Sequence, residues 1–175
     1  HATKGVPDTE LLALVGAAEL HPEGLFFPET YRFHKGASDV EILKRAYKDM
    51  QSHLTRLWDT RTSNLPLKSP YEALILASVV EKETGQASER PQIAAVFINR
   101  LNSNMRLQTD PTVIYGLGAS FDGNLTKVHL RTDTPYNTYT RGGLPPTPIA
   151  APGLGALAAA LQPAKGPWLY FVSRG

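Results

Sequence analysis

"PYEALILASVVEKETG", residues 70–85, is the stretch on which the reading of this chain turns. Leu74, Ile75, Leu76, Val79 and Val80 fall on several faces of a 3.6-residue repeat, so a helix buried nearly all round is expected over 70–84. Gly85 is a natural stop for it. The apolar run ends abruptly in Glu81, Lys82 and Glu83. Glutamates two apart on a helix point about 200° from each other, so a single site holds only one of them. The simplest reading is a helix end with three solvated charges. A second reading has a physical reason behind it. A carboxylate at the C-terminal end of a helix meets partial negative charge, and apolar burial disfavours its charged form further. Both push its pKa upward. A glutamic acid still protonated near neutral pH can donate a proton to a leaving oxygen, and glycosidic cleavage needs such an acid.

Other helices flank this one. Residues 8–19, "DTELLALVGAAE", read as a short helix with Asp8 or Thr9 as cap. "HPEGLFFPETYRFHKGAS" reads as an irregular or β-containing segment that turns its rings inward. Ser38 and Glu41 form a capping box. The helix it opens carries Val40, Leu43, Tyr47, Met50, Leu54 and Leu57 on one stripe and ends near Trp58. Downstream of Gly85, Ser88 is expected to cap a third helix with Pro91 in its first turn and Ile93, Val96, Phe97 and Leu101 as its apolar stripe. From 105 to 152 the sequence is rich in Thr, Pro, Gly, Tyr and Asn and lacks strong periodicity. A segment of that length is uncommon in a compact domain unless it is functional. "GLGALAAALQP" then reads as a helix and "PWLYFV" as a strand.

The chain has 175 residues, 42% hydrophobic and 19% charged, which suits one domain with a real core. A net charge of +2, with no run of Lys or Arg, gives no argument for nucleic acid as partner. The absence of cysteine removes disulfides, Cys-ligated zinc and thiol nucleophiles. The five histidines, at 1, 21, 34, 53 and 129, show no H-x-x-x-H pair, so no metal is expected. Ser78 and Ser88 lack a nucleophile elbow, and the glycines form no dinucleotide or phosphate-loop pattern, so no cofactor is expected. No apolar run is long enough to span a membrane. The abrupt start at His1 and stop at Gly175 suggest a piece of a longer protein.

Two polar blocks offer substrate contacts. Gln108, Thr109 and Asp110 suit sugar hydroxyls or acetamido groups, or else cap a turn before Pro111. Tyr136, Asn137, Thr138 and Tyr139 suit a carbohydrate, the ring covering a sugar face, or else form a β-hairpin of alternating Tyr and Thr. Arg90 and Arg100 suit anionic groups, or are surface helix charges.

The blocks "LASVVEKETGQASERPQIAAVFINRLNSNMRLQTDPTVIYGLG", "DTPYNTYTRGGLPPTPIAAPG" and "ALQPAKGPWLYFV", with the earlier "EGLFFPETYRF", closely resemble the YceG-like (MltG) family of endolytic murein transglycosylases. The resemblance covers roughly residues 20–175. It implies a bacterial cell-wall enzyme held in the inner membrane by an N-terminal helix, with its catalytic domain facing the periplasm or the cell exterior. It implies cleavage within peptidoglycan glycan strands, between N-acetylmuramic acid and N-acetylglucosamine. Nascent strands would be released near the cell-wall synthesis machinery, with product ends of 1,6-anhydro-N-acetylmuramic acid. Residues 1–175 would then be a single catalytic domain, without the family's membrane anchor and LysM-like region. The expected fold is α+β, a helical lysozyme-like core with a small β portion.

The resemblance also bears on the two glutamates. Lytic transglycosylases of the lysozyme-like superfamily carry Glu-Ser at a helix end, and Glu83-Thr84 is similar to that pattern. Glu83 is therefore the expected catalytic residue, with Glu81 as second choice. "MRLQ" at 105–108 looks similar to a later glutamine-bearing block of those enzymes, and Tyr136-Asn137 to a Tyr-Asn block. Gln108, Thr109 and Asp110 are expected to hold substrate or orient Glu83, with Tyr136, Asn137 and Thr138 on the opposite wall. The alternatives are a hydrolytic muramidase, in which Asp110 takes part, and a glycan-binding module without activity.

Overall fold

The structure, a computed structural model, describes residues 8–172. Among them are seven α-helices: α1 (Asp8–Leu14), α2 (Asp39–Asp59), α3 (Pro70–Glu83), α4 (Arg90–Asn102), α5 (Asp110–Leu117), α6 (Lys127–Arg131) and α7 (Leu154–Leu161). A 3-10 turn at Gly118–Ser120 follows α5.

The central element is α3. Ser69 caps it, its hydroxyl accepting from the Glu72 amide, and Pro70 fills the first turn where no amide donor is needed. Every residue from Ala73 to Val80 is buried, because α2, α4, α5 and α7 all pack around it. Its most extensive neighbour is α7. Ala156, Ala159 and Ala160 there share one core with Ala73 and Ala77, and small side chains let two helices approach closely. Ser78, buried among them, has both hydrogen-bonding roles filled: it donates to the Ile75 carbonyl at 2.7 Å and accepts from the Ile149 amide at 3.0 Å. The α3 helix ends one residue earlier than expected, and not at Gly85. Thr84 is extended, with φ −144° and ψ 137°, so the chain leaves the helix axis directly after Glu83.

The capping box on α2 forms as the sequence predicts, Ser38 and Glu41 each taking the other's backbone amide. Ala46, Met50 and Leu54 are its buried residues, Tyr47 and Leu57 pack at the core's edge, and Leu43 is half-buried. The α1 helix stops well before residue 19. Gly16 takes φ 76° and the Ala17 amide bonds back to the Leu12 carbonyl at 2.8 Å. The capping of its first turn lies outside the described residues. Ser88 does not cap α4, whose N-cap is Glu89. In the 20–37 segment Leu25 and Phe27 turn inward but Phe33 remains 67% exposed. The position of Gly24 in that segment favours glycine on two counts: its φ is 80°, and a Cβ there would meet the Pro148 Cβ at 2.6 Å.

The α+β expectation needs correcting, because no strand exists among the described residues. "PWLYFV" does alternate, with Trp168, Tyr170 and Val172 outward and Leu169 and Phe171 turned in. Its backbone meets side chains instead of a second strand. Asn99 donates to the carbonyls of Gly166 and Trp168, both at 2.9 Å, and the Arg100 Nε donates to that of Leu169 at 2.7 Å. "PYNTYTRGG" does not pair as a hairpin either. The buried Asn137 amide donates to the carbonyls of His129, Leu130 and Thr132, and its Oδ1 accepts from the Tyr139 amide, so the segment folds as turns around one side chain. The 105–152 region also contains α5 and α6, where an irregular segment was expected.

Candidate active site

The two glutamates of α3 reach different neighbourhoods. Glu81 Oε2 accepts the Gly153 amide at 3.0 Å, at the N-terminus of α7, and its Oε1 is 3.1 Å from the Arg90 guanidinium. Glu81 thus ties α3 to α4 and α7.

Glu83 is the last residue of α3 and is partly buried. Its Oε2 accepts the Thr109 hydroxyl at 2.5 Å. Burial raises its pKa above the ordinary carboxylate value. The Thr109 hydrogen bond lowers it, the nearby charge of Asp110 raises it, and that of Arg100 lowers it, leaving a net upward shift. Thr84 closes the turn behind it, donating to Glu89 Oε2 at 2.9 Å and accepting the Gln86 amide at 3.0 Å.

The wall facing Glu83 is built by residues 107–110. Gln108 has φ 49°, a left-handed conformation costing about 1–2 kcal/mol in a residue with a Cβ. That kink puts the Gln108 side chain and Asp110 at the surface of the cleft while Leu107 and Thr109 go inward. Thr138 holds the kink from behind. Its carbonyl accepts the Gln108 amide at 3.2 Å, its Oγ1 accepts the Thr109 amide at 3.1 Å, and its hydroxyl lies 2.8 Å from that of Thr112. The Tyr139 hydroxyl donates to Asp110 Oδ1 at 2.5 Å. Burial first, then this bond, raises the pKa of the phenol.

Glu83, Arg100, Gln108, Asp110, Tyr139, Phe171 and Val172 line a cleft of about 300 Å³. The structure therefore brings Glu83, Gln108 and Asp110 together at one surface, with Thr109 beneath. Asn137 and Thr138 are buried behind that wall. Tyr136 lies against the Tyr115 ring, centroids 4.8 Å apart, with its hydroxyl 2.8 Å from that of Thr147. None of these three is among the residues lining the cleft. Arg90 is committed to Glu81.

Arg100 is the residue whose position sequence reasoning left open. It is only 6% exposed and donates to the Leu107 carbonyl at 2.6 Å as well as to Leu169, joining the Gln108 wall to the C-terminal segment. A signal existed: Arg100 falls seven residues after Ile93, on the apolar stripe of α4. Phe171 and Val172 gave no such signal.

Comparison with known proteins finds matches along nearly the whole chain. The sequence pattern of the YceG-like family matches residues 3–175. An endolytic murein transglycosylase of Bacillus subtilis is 39% identical over 173 residues, which is 98% of this chain and 47% of that protein. One from Streptococcus pneumoniae is 32% identical over 157 residues, 86% of this chain and 28% of that protein. The chain thus spans less than half the length of these curated relatives. A crystal structure of a yceG-like protein from Listeria monocytogenes superposes with a TM-score of 0.73 at 33% identity, covering 95% of this chain and 58% of that one. With the family pattern matched almost end to end and a relative 39% identical over 98% of the chain, the chain belongs to the YceG-like family.

Proposed function

We propose that this chain is the catalytic domain of an endolytic peptidoglycan lytic transglycosylase, with Glu83 as its acid and base. The observation that carries the reading is the Glu83 carboxyl, partly buried at a helix C-terminus, with raised pKa, open to a cleft and aimed by Thr109. The names of the two bacterial relatives support the same chemistry.

Protonated Glu83 donates to the glycosidic oxygen as the C1–O bond of N-acetylmuramic acid breaks, and positive charge develops at C1. The resulting carboxylate accepts the proton of the C6 hydroxyl of the same sugar. The C6 oxygen bonds to C1, giving the 1,6-anhydro end and returning the proton to Glu83. Attack is intramolecular, so no water is consumed and the entropy of bringing in a nucleophile is largely avoided. The scheme calls for no cofactor, metal or second catalytic carboxylate. Gln108 and Asp110 contact substrate in the cleft, and Thr109 orients the acid. Thr138 and Asn137 act through that wall, and Tyr136 through the packing beneath it.

A hydrolytic muramidase is the second reading, favoured by one observation: Asp110 lines the same cleft and its charge is felt by Glu83. Its Oδ1 is engaged by Tyr139, which suits a positioning group better than a base. Among the described residues no helix is long and apolar enough to cross a membrane. On the family resemblance we place the whole protein at the inner membrane, facing the periplasm or cell exterior, near the cell-wall synthesis machinery.

Mass spectrometry of sugar ends after digestion of uncrosslinked strands tests the reading, with Glu83→Gln alongside. Internal fragments with anhydro ends, lost in the variant, are expected. Reducing ends carrying an added water transfer the assignment to a hydrolase, and binding without cleavage leaves a glycan-binding module.

A further inference from the structure

A second cavity, of about 560 Å³, lies between α4 and the 168–172 segment. It shares Phe171 and Val172 with the Glu83 cleft, so one chain segment forms a wall of both. From these features we infer that it is a saccharide site, holding sugar units of the glycan strand beyond those at the bond being cut. The inference rests on the transglycosylase reading above.

The lining chemistry selects this class of ligand. Trp168 and Tyr170 present rings that are 39% and 72% exposed, beside Ser88 and the exposed Gln92. Aromatic faces with amide and hydroxyl groups match a pyranose, which has an apolar face and a polar rim. No Lys or Arg lines the cavity, so the carboxylates of a stem peptide find no counter-charge there. Its one charged residue, Glu89, is already engaged by Thr84.

The segment that carries the rings is held by its backbone. The Trp168 carbonyl accepts from Asn99, and its ring lies so close over Gly166 that a Cβ there would come within 2.4 Å of it. Tyr170 lies under the Arg100 guanidinium at 5.2 Å. Aromatics carried on a backbone anchored by Asn99 and by the buried Arg100 lose less freedom on binding, which favours a ligand site over a loose tail.

The test is binding of a peptide-free glycan strand to the Glu83→Gln protein, read by calorimetry and by Trp fluorescence. Adding Trp168→Ala is expected to weaken binding roughly tenfold, the scale of one lost aromatic contact. Trp168→Phe should restore much of it, and Gln92→Ala, at an exposed position, should weaken it without disturbing the fold. Equal affinity in all of these, or a bound strand that leaves Trp168 fluorescence unchanged, overturns the inference. So does the absence of binding. If strands are still cut to anhydro ends in that case, the transglycosylase reading stands without this site. Trp168-dependent binding with no cleavage by the unmodified chain retains the saccharide site and removes the catalytic reading.

Discussion

Replacing Glu81 separates the two glutamates by measurement. Glu81→Ala removes the acceptor of the Gly153 amide, the negative charge at the α7 N-terminus and the Arg90 ion pair. A hydrogen bond to a charged group contributes about 1.5–3 kcal/mol, and the helix-end charge about 0.3–1 kcal/mol. The ion pair, whose side chains are 18% and 25% exposed, contributes at most about 1 kcal/mol. These overlap, so a loss of about 2–4 kcal/mol is expected. For a chain of this size that lowers Tm on the order of 10 °C. Glu81→Gln keeps an acceptor for Gly153 and loses only charge, so about 1 kcal/mol and about 2–4 °C are expected. Both variants, assayed for release of anhydro-ended fragments well below their melting points, should turn over within about threefold of the unmodified chain. Glu83→Gln should lose about 10²–10⁴-fold, the usual contribution of a general acid. The reasoning is refuted if Glu81→Gln folds normally, melts unchanged and loses turnover as Glu83→Gln does.

The causes of the Glu83 shift predict opposite changes in the pH–activity profile. Thr109→Val removes a bond that lowers its pKa and should move the alkaline limb to higher pH; Asp110→Asn removes a charge that raises it and should move the limb lower. A carboxyl raised by folding contributes stability that is present below its unfolded pKa and lost as pH rises through its folded one. Thermal melts of Glu83→Gln should therefore gain on the unmodified chain as pH rises through that window. Asn137→Ala removes the buried side chain that joins the carbonyls of His129, Leu130 and Thr132 to the Tyr139 amide, each such bond contributing about 0.5–1.5 kcal/mol. Urea melts should show a loss of at least about 2 kcal/mol with activity lowered through the displaced 107–110 wall. Gly24→Ala should lower Tm by several degrees without changing the pH profile, since left-handed strain of about 1–2 kcal/mol adds to the Pro148 contact.

Much of the helical framework was legible locally. Capping residues, prolines in first turns and the 3.6-residue repeat act within one or two turns, so α2, α3 and most of α4 follow from them. The β expectation failed because alternation reports which residues face inward, not what their backbone pairs with. For "PWLYFV" the partners are Asn99 and Arg100, distant in sequence. The segment 133–141 misled for a related reason. Its Tyr/Thr alternation resembles a strand, yet one buried amide, Asn137, organises it as turns.

The sequence by itself determined that a buried helix ends in two glutamates, and helical periodicity determined that one site takes only one of them. It also carried enough of the family's blocks to imply the chemistry. Which glutamate faces the cleft was decided by tertiary structure. The amide that claims Glu81 lies 72 residues away, and the hydroxyl that claims Glu83 lies 26 away. Folding brings those groups to different neighbourhoods around α3, and burial then raises the pKa of the Glu83 carboxyl, which no cation pairs directly among the described residues. Local pattern specifies a side chain's direction on its own helix, but its neighbours, and hence its proton affinity, exist only once the helices are packed.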